Sequence, residues 1–220
     1  MSTPLAVPAP VYAYALGDAL YLNVTSVCTL ACIFCPKIRD DDWVVGGHDL
    51  RLLRAPSADE VWVQVEREGL AGRSEVVFTG LGEPTRRLDV LLDVTRRLVR
   101  AGVKRVRVDT DGLANLRERR DVTPELAAAG VGTVVVSLNA PDAPTYARLC
   151  PNQHGESAWE GARGFIRAAV RHVPDVEASF VGVPGLDEDA CRREAEALGA
   201  RFRWRPYDRV GRLKELGGNA

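Results

Sequence analysis

Six short runs rich in apolar and β-branched residues recur along the chain, and longer amphipathic segments separate them. Strands joined by helical crossovers run parallel, so this alternation predicts an α/β fold built from successive βα units. Six such units fit either an open doubly wound sheet or an incomplete barrel, and both place ligand sites at the carboxyl ends of the strands. The predicted strands are 20–24, 75–79, 105–110, 133–139, 176–183 and 201–206.

The segments between the predicted strands carry signals for helix starts and ends. Ser57 with Glu60 three residues later forms a capping box, and Gly69 marks the end of that helix. Asp187 is placed to cap a last helix that runs to 198. Apolar residues at helical spacing and local stop signals predict the remaining helices at 88–102, 123–130 and 159–170.

The length of 220 residues fits one domain, with an irregular N-terminal arm at 1–16 and a core domain at 17–220. The arm lacks Lys and Arg and is interrupted by three prolines, unlike a secretory signal. A formal net charge of -1 leaves no basic excess for nucleic acid. The sequence has no stretch of about 18 uninterrupted apolar residues, so no membrane span is predicted. We therefore expect a cytoplasmic protein. At the C-terminal end, residues 207–220 have room for one short helix.

Three of the five cysteines fall directly after the first predicted strand, with the spacing C-x3-C-x2-C. Cys28, Cys32 and Cys35 therefore lie on one loop at the carboxyl end of the sheet. Iron–sulfur cubanes are held by cysteine thiolates, normally four, so three ligands leave one iron open to another group. A structural zinc is the alternative, with a fourth ligand from His48 or from the aspartates at 40–42.

The remaining two cysteines stand alone. Cys191 shares a helical face with apolar residues, which predicts a place in the core. Cys150 precedes a proline in a predicted loop, where it could be reactive. An odd number of cysteines with three tightly clustered gives little support to a full disulfide framework.

The cysteine spacing, with Phe34 before the last cysteine, resembles the defining motif of the radical S-adenosylmethionine (SAM) superfamily. The segment T-G-L-G-E-P at 79–84 resembles the G-G-E-P turn of that superfamily, although Leu81 stands where a second glycine is common. The later segments 109–112, 113–116, 137–140 and 205–207 look most like the TatD-associated radical SAM subfamily. The likeness runs from about 21 to 211.

This resemblance implies a partial (βα)6 TIM-like barrel and a [4Fe–4S] cluster on Cys28, Cys32 and Cys35. SAM would chelate the fourth iron through its amino and carboxylate groups. One electron from the cluster would then cleave SAM to methionine and a 5'-deoxyadenosyl radical, which abstracts hydrogen from an unknown substrate. An electron donor of the flavodoxin or ferredoxin type is also implied, and a bare barrel with an open mouth favours a protein or another large substrate.

The resemblance also implies a SAM pocket. The backbone around Phe34 meets the adenine, the G-x-G-E-P turn receives the methionine amino group, and two polar residues of the fourth strand meet the ribose or methionine. Asp111 stands where relatives usually carry Asn, which replaces an amide donor with a charge. The implied cofactor contacts are Phe34, Gly80, Gly82, Glu83, Pro84, Thr110, Asp111, Ser137, Asn139 and Val183.

Other interpretations of the same residues stay open at this point. Phe34 could be a core residue, and Ser137 and Asn139 could be a solvated strand end. At the level of function, the alternative is a non-catalytic zinc-binding or TatD-partner module on the same scaffold. A third possibility, within the enzyme class, is an activase that makes a glycyl radical on another protein.

Overall fold

The computed structural model describes residues 9–207, which form one mostly parallel sheet covered by helices on its outer face. The strands are β1 (Ala13–Leu16), β2 (Ala19–Leu22), β3 (Val44–Val45), β4 (His48–Asp49), β5 (Val76–Phe78), β6 (Val106–Thr110), β7 (Thr133–Ser137), β8 (Asp175–Gly182) and β9 (Arg201–Pro206). The helices are α1 (Pro36–Arg39), α2 (Ala58–Glu68), α3 (Leu88–Arg100), α4 (Ala114–Glu118), α5 (Thr123–Ala129), α6 (Ala143–Leu149), α7 (Ser157–His172) and α8 (Glu188–Ala197).

The main sheet has the strand order β1-β2-β5-β6-β7-β8-β9, and every neighbouring pair from β2 to β9 is parallel. Consecutive βα units lie side by side, as expected when each crossover helix returns the chain to the next strand. In the described residues β1 and β9 stand at the two edges of the sheet. The architecture confirms the predicted α/β fold and is that of a partial TIM-like barrel.

The predicted strands and helices are confirmed apart from shifts at their ends. The capping box of α2 is present, because Ser57 Oγ accepts from the Glu60 amide and the Glu60 carboxylate accepts from the Ser57 amide. Asp187 caps α8 by accepting from the Ala190 amide. Val183 lies one residue beyond the observed end of β8.

The prediction of an irregular arm at 1–16 is wrong for its last four residues. Ala13–Leu16 pairs antiparallel with Ala19–Leu22 and adds an edge strand to the sheet. Gly17 has a φ of 59° in the tight turn between them, a conformation that glycine adopts without strain. Residues 1–8 of the predicted arm, and the short helix predicted within 207–220, lie outside the described residues except for Tyr207.

The core lies between the outer face of the sheet and the helices, because alternate strand residues point to opposite faces. On β6, Val106 and Val108 are buried on the helix side. Arg107 and Asp109 of the same strand line the interior of the barrel instead. The large apolar side chains Phe78, Leu91, Leu98, Leu113, Phe165 and Phe180 are completely buried in this core.

A small hairpin, β3–β4, extends the cysteine loop and was not predicted. Its register pairs Val44 with Asp49 and Val45 with His48. Gly46 and Gly47 have φ values of 54° and 83°, which suits a tight two-residue hairpin turn. Val45 borders the interior of the barrel, so the hairpin shields one side of its mouth. No helix within residues 9–207 has both the length and the apolar character needed to cross a bilayer.

Candidate functional site

The loop that carries the three clustered cysteines lies over the carboxyl end of the sheet. Backbone hydrogen bonds tie it to the segment between α6 and α7: the amide of Ala31 donates to the carbonyl of Pro151 at 2.8 Å, and that of Ile33 to the carbonyl of Leu149 at 3.0 Å. These bonds lie on either side of Cys32. These backbone hydrogen bonds fix the position of the cysteine loop relative to the end of α6 and the residues that follow it.

A cavity of about 350 Å³ lies under this loop, and Cys28, Cys32 and Cys35 all line it. Pockets of this size accept a small organic ligand. Of the ten residues predicted to contact the cofactor, eight also line the cavity. They are Phe34, Gly80, Gly82, Glu83, Thr110, Asp111, Ser137 and Asn139.

The other two predicted contacts, Pro84 and Val183, lie outside this cavity. Pro84 is buried at the start of a 3-10 turn, Pro84–Arg87, that leads into α3. Val183 borders a neighbouring cavity of about 320 Å³, which is also lined by Phe34 and Tyr207. Phe34 therefore separates the two cavities, and the predicted adenine contact of Val183 would require a ligand that reaches past this ring.

The clustered thiols are protonated in the metal-free protein at neutral pH. Burial raises the pKa of Cys28 to about 12, and the nearby carboxylates of Asp111 and Glu83 add to the shift. A hydrogen bond with the Cys150 thiol, followed by burial, raises the pKa of Cys32 well above its usual value. Thiolates are the form that binds metals, so metal binding here must release protons.

The residues proposed as a fourth zinc ligand are engaged elsewhere. The ring of His48 packs on Tyr14, with ring centroids 5.1 Å apart. Within residues 9–207, no three His, Cys, Asp or Glu side chains come together as ligands of one metal ion. The aspartates accept hydrogen bonds from neighbours, namely Arg39 for Asp40, Arg51 for Asp41 and the Val44 amide for Asp42. The geometry gives the zinc alternative no support.

The turn at 79–84 packs directly against the start of the cysteine loop. A Cβ on Gly82 would lie 2.0 Å from the carbonyl oxygen of Thr25, so only glycine fits there. Gly80 has a φ of 150°, a backbone conformation that other residues rarely adopt. The amide of Glu83 donates to the carbonyl of Val27 at 2.9 Å. The turn and the cysteine loop are therefore held together as one unit.

Glu83 is buried, with 2% of its surface exposed, and its carboxylate is surrounded by donors. One oxygen accepts from the Thr85 amide at 2.9 Å, the Thr85 hydroxyl at 2.6 Å and the Thr110 hydroxyl at 2.7 Å. The other oxygen accepts from the Asp111 amide at 2.7 Å. Four protein donors therefore satisfy this buried carboxylate, which connects the segments that follow β5 and β6.

Asp111 lies beside this network and has an unused oxygen. Its Oδ1 accepts from the Leu113 amide at 2.9 Å, whereas its buried Oδ2 has no hydrogen-bond partner of ordinary geometry within residues 9–207; the Thr29 hydroxyl lies close enough to lower the pKa of the carboxyl. Burial, and then the negative charge of Glu83, raise the pKa of the Asp111 carboxyl well above its ordinary value. An unpartnered buried oxygen that lines a cavity is a ready acceptor for a ligand donor.

Ser137 and Asn139 lie together at the end of β7, as their alternation predicts. The buried Asn139 has a φ of 57°, and its amide donates to the Ser137 carbonyl at 3.3 Å and to the Cys150 sulfur at 3.6 Å. Nη2 of Arg205 lies 3.5 Å from Ser137 Oγ and 3.5 Å from Asn139 Oδ1. The three side chains form a polar group that faces the cavity.

The sequence predictions missed the charged side chains inside the barrel. Arg107, Asp109, Arg203 and Arg205 all line the cavity. The signal was present, because arginines alternate with aromatic residues in R-F-R-W-R at 201–205, and period two places them on one face. Burial lowers the pKa of Arg205, although Asp109 opposes the shift. This arginine carries a charge that its surroundings compensate poorly.

A family model described as the radical SAM superfamily matches residues 22–198, which is most of the chain. The chain belongs to this superfamily. The match covers the cysteine loop, the G-x-G-E-P turn and every strand of the barrel from the end of β2 to β8. A chain of the radical SAM superfamily is an enzyme whose cofactors are a [4Fe–4S] cluster and SAM.

Curated relatives of this radical SAM chain include enzymes of two kinds. A GTP 3',8-cyclase from Lactiplantibacillus plantarum is 27% identical over 175 residues, which cover 79% of this chain and 48% of the relative. A probable dual-specificity RNA methyltransferase RlmN from Parasynechococcus marenigrum is 31% identical over 180 residues, covering 77% of this chain and 48% of the relative. The chain thus spans about half the length of the curated relatives it matches.

Solved structures share the fold at low sequence identity. A radical SAM methyltransferase from Sphaerobacter thermophilus aligns with a TM-score of 0.58 and 22% identity, over 88% of this chain and 57% of that one. SuiB from Streptococcus suis aligns with a TM-score of 0.61 and 17% identity, over 88% of this chain and 40% of that one. These two structures confirm the predicted fold class. The descriptions of these proteins do not mention TatD, so the TatD-associated subfamily stays a prediction.

The residues present fit the cofactors of the radical SAM superfamily. Each cysteine of a cubane binds a different iron, so its ligands lie farther apart than the ligands of one ion. Cys28, Cys32 and Cys35 are half-buried, lie on one loop and line one cavity, which is the ligand type and number that such a cluster takes when one iron is left open. The unpartnered Oδ2 of Asp111 supplies an acceptor in the same cavity, where a cationic amino acid derivative would need one.

Proposed function

We propose that this radical SAM enzyme holds its [4Fe–4S] cluster on Cys28, Cys32 and Cys35 and binds SAM in the adjoining cavity. When bound, the cluster supplies one electron that cleaves SAM to methionine and a 5'-deoxyadenosyl radical, which abstracts hydrogen from a substrate. The observation that carries this proposal is that the three thiols line the same cavity as the G-x-G-E-P turn.

The chain's own residues bind and orient SAM and shield it within the cavity. Gly80 and Gly82 keep side chains out of the turn, so its backbone carbonyls can accept hydrogen bonds from an ammonium group. Glu83 lines the cavity and fixes that turn, because its carboxylate already accepts hydrogen bonds from four protein donors. Its role in this proposal is positioning.

The remaining cavity residues also contribute to SAM recognition. Asp111 accepts from a donor of the ligand through Oδ2, and Ser137 and Asn139 present polar groups from β7. Phe34 offers a flat ring between the two cavities, which suits stacking or edge contact with a base. Val183 contributes its backbone next to this ring, and Pro84 fixes the exit of the turn.

The substrate approaches from the open mouth of the barrel. The cavity of about 350 Å³ accommodates one ligand of modest size, which favours a large substrate that covers the mouth from outside. This chain covers about half of the GTP 3',8-cyclase and RNA methyltransferase relatives, so neither named activity is assigned to it. The segments at 109–116, 137–140 and 205–207 support membership of the TatD-associated subfamily.

Anaerobic reconstitution with iron and sulfide tests the proposal. We expect about four irons per chain in the wild type and fewer in single Ser variants of Cys28, Cys32 or Cys35. After reduction with dithionite in the presence of SAM, the wild type should release 5'-deoxyadenosine. Cys191→Ala is the matched control, because Cys191 is buried in α8 away from the cavity and the variant should keep both iron and product.

Two results would count against the proposal. Full iron loading in a C32S variant would show that the cysteine loop does not hold the cluster. Stoichiometric zinc and no 5'-deoxyadenosine in the wild type, under reducing conditions, would favour the non-catalytic zinc-binding or TatD-partner module.

We expect a flavodoxin- or ferredoxin-like protein to replace dithionite as the electron donor. Release of 5'-deoxyadenosine in the presence of a purified flavodoxin system measures this.

A further inference from the structure

The cysteine loop and the segment that follows α6 run antiparallel in one register. Leu30 pairs with Asn152, and the backbone bonds from the amides at 31 and 33 to the carbonyls at 151 and 149 continue the same register. Cys32 and Cys150 therefore lie directly opposite each other, at a position flanked by hydrogen-bonded pairs. Two side chains at such a position are on the same face, with Cβ atoms about 4.5–5.5 Å apart. The backbone thus brings the Cys150 thiol against the middle cysteine of the loop.

The surroundings of Cys150 leave its hydrogen available to Cys32. Cys150 follows the last residue of α6 and is completely buried, which removes it from reagents in solution. Its sulfur accepts a hydrogen bond from Nδ2 of Asn139 at 3.6 Å. The Tyr146 hydroxyl, one helical turn earlier, has no hydrogen-bond partner within residues 9–207, so it does not engage the Cys150 thiol. Toward Asn139 the Cys150 sulfur is an acceptor, and its S–H group is the part that remains.

The direction of the hydrogen bond between the two cysteines follows from their chemistry. A cysteine that binds iron is a thiolate, so it accepts hydrogen bonds and has no hydrogen to donate. Cys150 lies behind Cys32, outside the lining of the cavity, and a free thiol has one S–H donor. Once Cys32 is a metal ligand, Cys150 is therefore the only donor of the pair.

We propose that Cys150 is a positioning residue for the cluster, whose thiol donates a hydrogen bond to the Cys32 sulfur and makes the bound cluster easier to reduce. This inference rests on the proposed function, which places the cluster on Cys28, Cys32 and Cys35. Hydrogen bonds to the sulfurs are among the factors that set the reduction potential of an iron–sulfur cluster. A donor stabilises the reduced cluster more than the oxidised one, because the reduced cluster has one more negative charge.

The burial of the pair strengthens this effect. Electrostatic interactions are weakened less in a dry interior than in water, so even a weak S–H donor acts on the charge of the cluster. Asn139 adds to it, since an amide that donates to the Cys150 sulfur polarises the S–H bond toward Cys32. Asn139, Cys150 and Cys32 form a chain of hydrogen bonds that ends on the cluster side of the loop.

Redox titration of the reconstituted holoenzyme without SAM tests the proposal, with the electron paramagnetic resonance signal of the reduced cluster as the readout. C150A removes the donor and should make the potential more negative, with a loss of about threefold or more in the equilibrium constant for one-electron reduction. C150S leaves nearly the same space as C150A but keeps an O–H donor, so its potential should be at or above that of the wild type. Cys191→Ala removes an equally buried thiol of α8 and should keep the wild-type potential.

Equal potentials in C150A and C150S, with full iron loading in both, would overturn the inference and leave Cys150 as a packing residue. If C150A does not fold or does not hold iron, the comparison of the wild type with C150S decides. A hydroxyl is a stronger donor than a thiol, so C150S should then be easier to reduce than the wild type. A C150S potential equal to or more negative than that of the wild type would overturn the inference in that case.

Failure of the proposed function looks different from failure of this inference. In the first case the wild type itself would lack iron or release no 5'-deoxyadenosine. A wild type with about four irons and normal product, together with Cys150 variants of unchanged potential, would contradict only the role of Cys150.

Discussion

Oε2 of Glu83 accepts a hydrogen bond from the backbone amide of Asp111 at 2.7 Å, across 28 residues of sequence. This bond connects the end of β5 to the end of β6 at the edge where the cavity opens. The negative charge of Glu83 also raises the pKa of Asp111. The contact between Glu83 and Asp111 therefore holds the two strand ends together, while burial and the charge of Glu83 disfavour the ionised form of the Asp111 carboxyl.

Replacing Glu83 by Gln should destabilise the fold. At least one of the four donors would face the amide NH2 of Gln instead of an oxygen, which leaves a buried donor unpaired and costs about 1–3 kcal/mol. Chemical denaturation of the wild type and E83Q measures the difference. E188Q, which removes only an exposed ion pair on α8, should stay within about 0.5 kcal/mol. Equal losses in both variants would contradict the network.

Gly82→Ala should displace the turn from the cysteine loop. The new Cβ would meet the Thr25 carbonyl at 2.0 Å, a backbone contact that cannot move aside cheaply. We expect a loss of about 2 kcal/mol or more in the free energy of unfolding and a loss of SAM binding. Gly164→Ala in α7 is the control, because nothing lies near its Cβ and alanine favours helix by about 1 kcal/mol. Normal SAM affinity in G82A would refute the role of the turn.

The regular elements could be predicted because their signals are local. The β-branched run at 133–136 is followed by apolar–polar alternation up to 139, and the strand found there is Thr133–Ser137. The cap of α2 lies within four residues of sequence. The sequence predictions missed several short elements, namely β1, the β3–β4 hairpin and the helices α1, α4 and α6. Backbone pairing stabilises β1 and the hairpin more than any pattern in their own sequence does.

The site could be predicted as a set of loops, and its contacts could not. Motifs placed Glu83 and Asp111 at neighbouring strand ends, but no pattern shows that the Glu83 carboxylate is filled by donors from both strands. Arg205 lies in the last predicted strand, but no sequence pattern shows that its Nε is buried without a hydrogen-bond partner within residues 9–207. Such information depends on three-dimensional neighbours, which sequence spacing does not report.

Asp111→Asn should stabilise the metal-free protein. Burial and the charge of Glu83 raise the pKa of Asp111, so its ionised form is disfavoured in the folded state at neutral pH. Asn keeps an oxygen for the Leu113 amide and removes the charge, for a gain of about 1 kcal/mol or more at pH 8. The gain should shrink as the pH falls and the wild-type carboxyl becomes protonated. Urea unfolding at several pH values measures it, and a D111N variant less stable at pH 8 would contradict the assignment.

Cys191 gives a pH dependence that is separate from the site. Its place in the core, predicted from helical spacing, is confirmed. Burial raises the pKa of its thiol from 9.0 to about 12, and the negative charge of Asp187 adds to this shift. The unfolded thiol ionises at lower pH than the folded one, so its contribution to stability is complete below pH 9 and is lost as the pH rises toward 12.

The comparison of wild type with Cys191→Ala isolates this contribution. The stability difference between the two proteins should be constant below about pH 8 and should then move in favour of the variant as the pH rises. Urea denaturation of the metal-free proteins under reducing conditions, from neutral pH to about pH 10.5, measures that difference. Parallel stability curves would show that the Cys191 thiol ionises as easily in the folded protein as in the unfolded chain, which would contradict its complete burial on the inner face of α8.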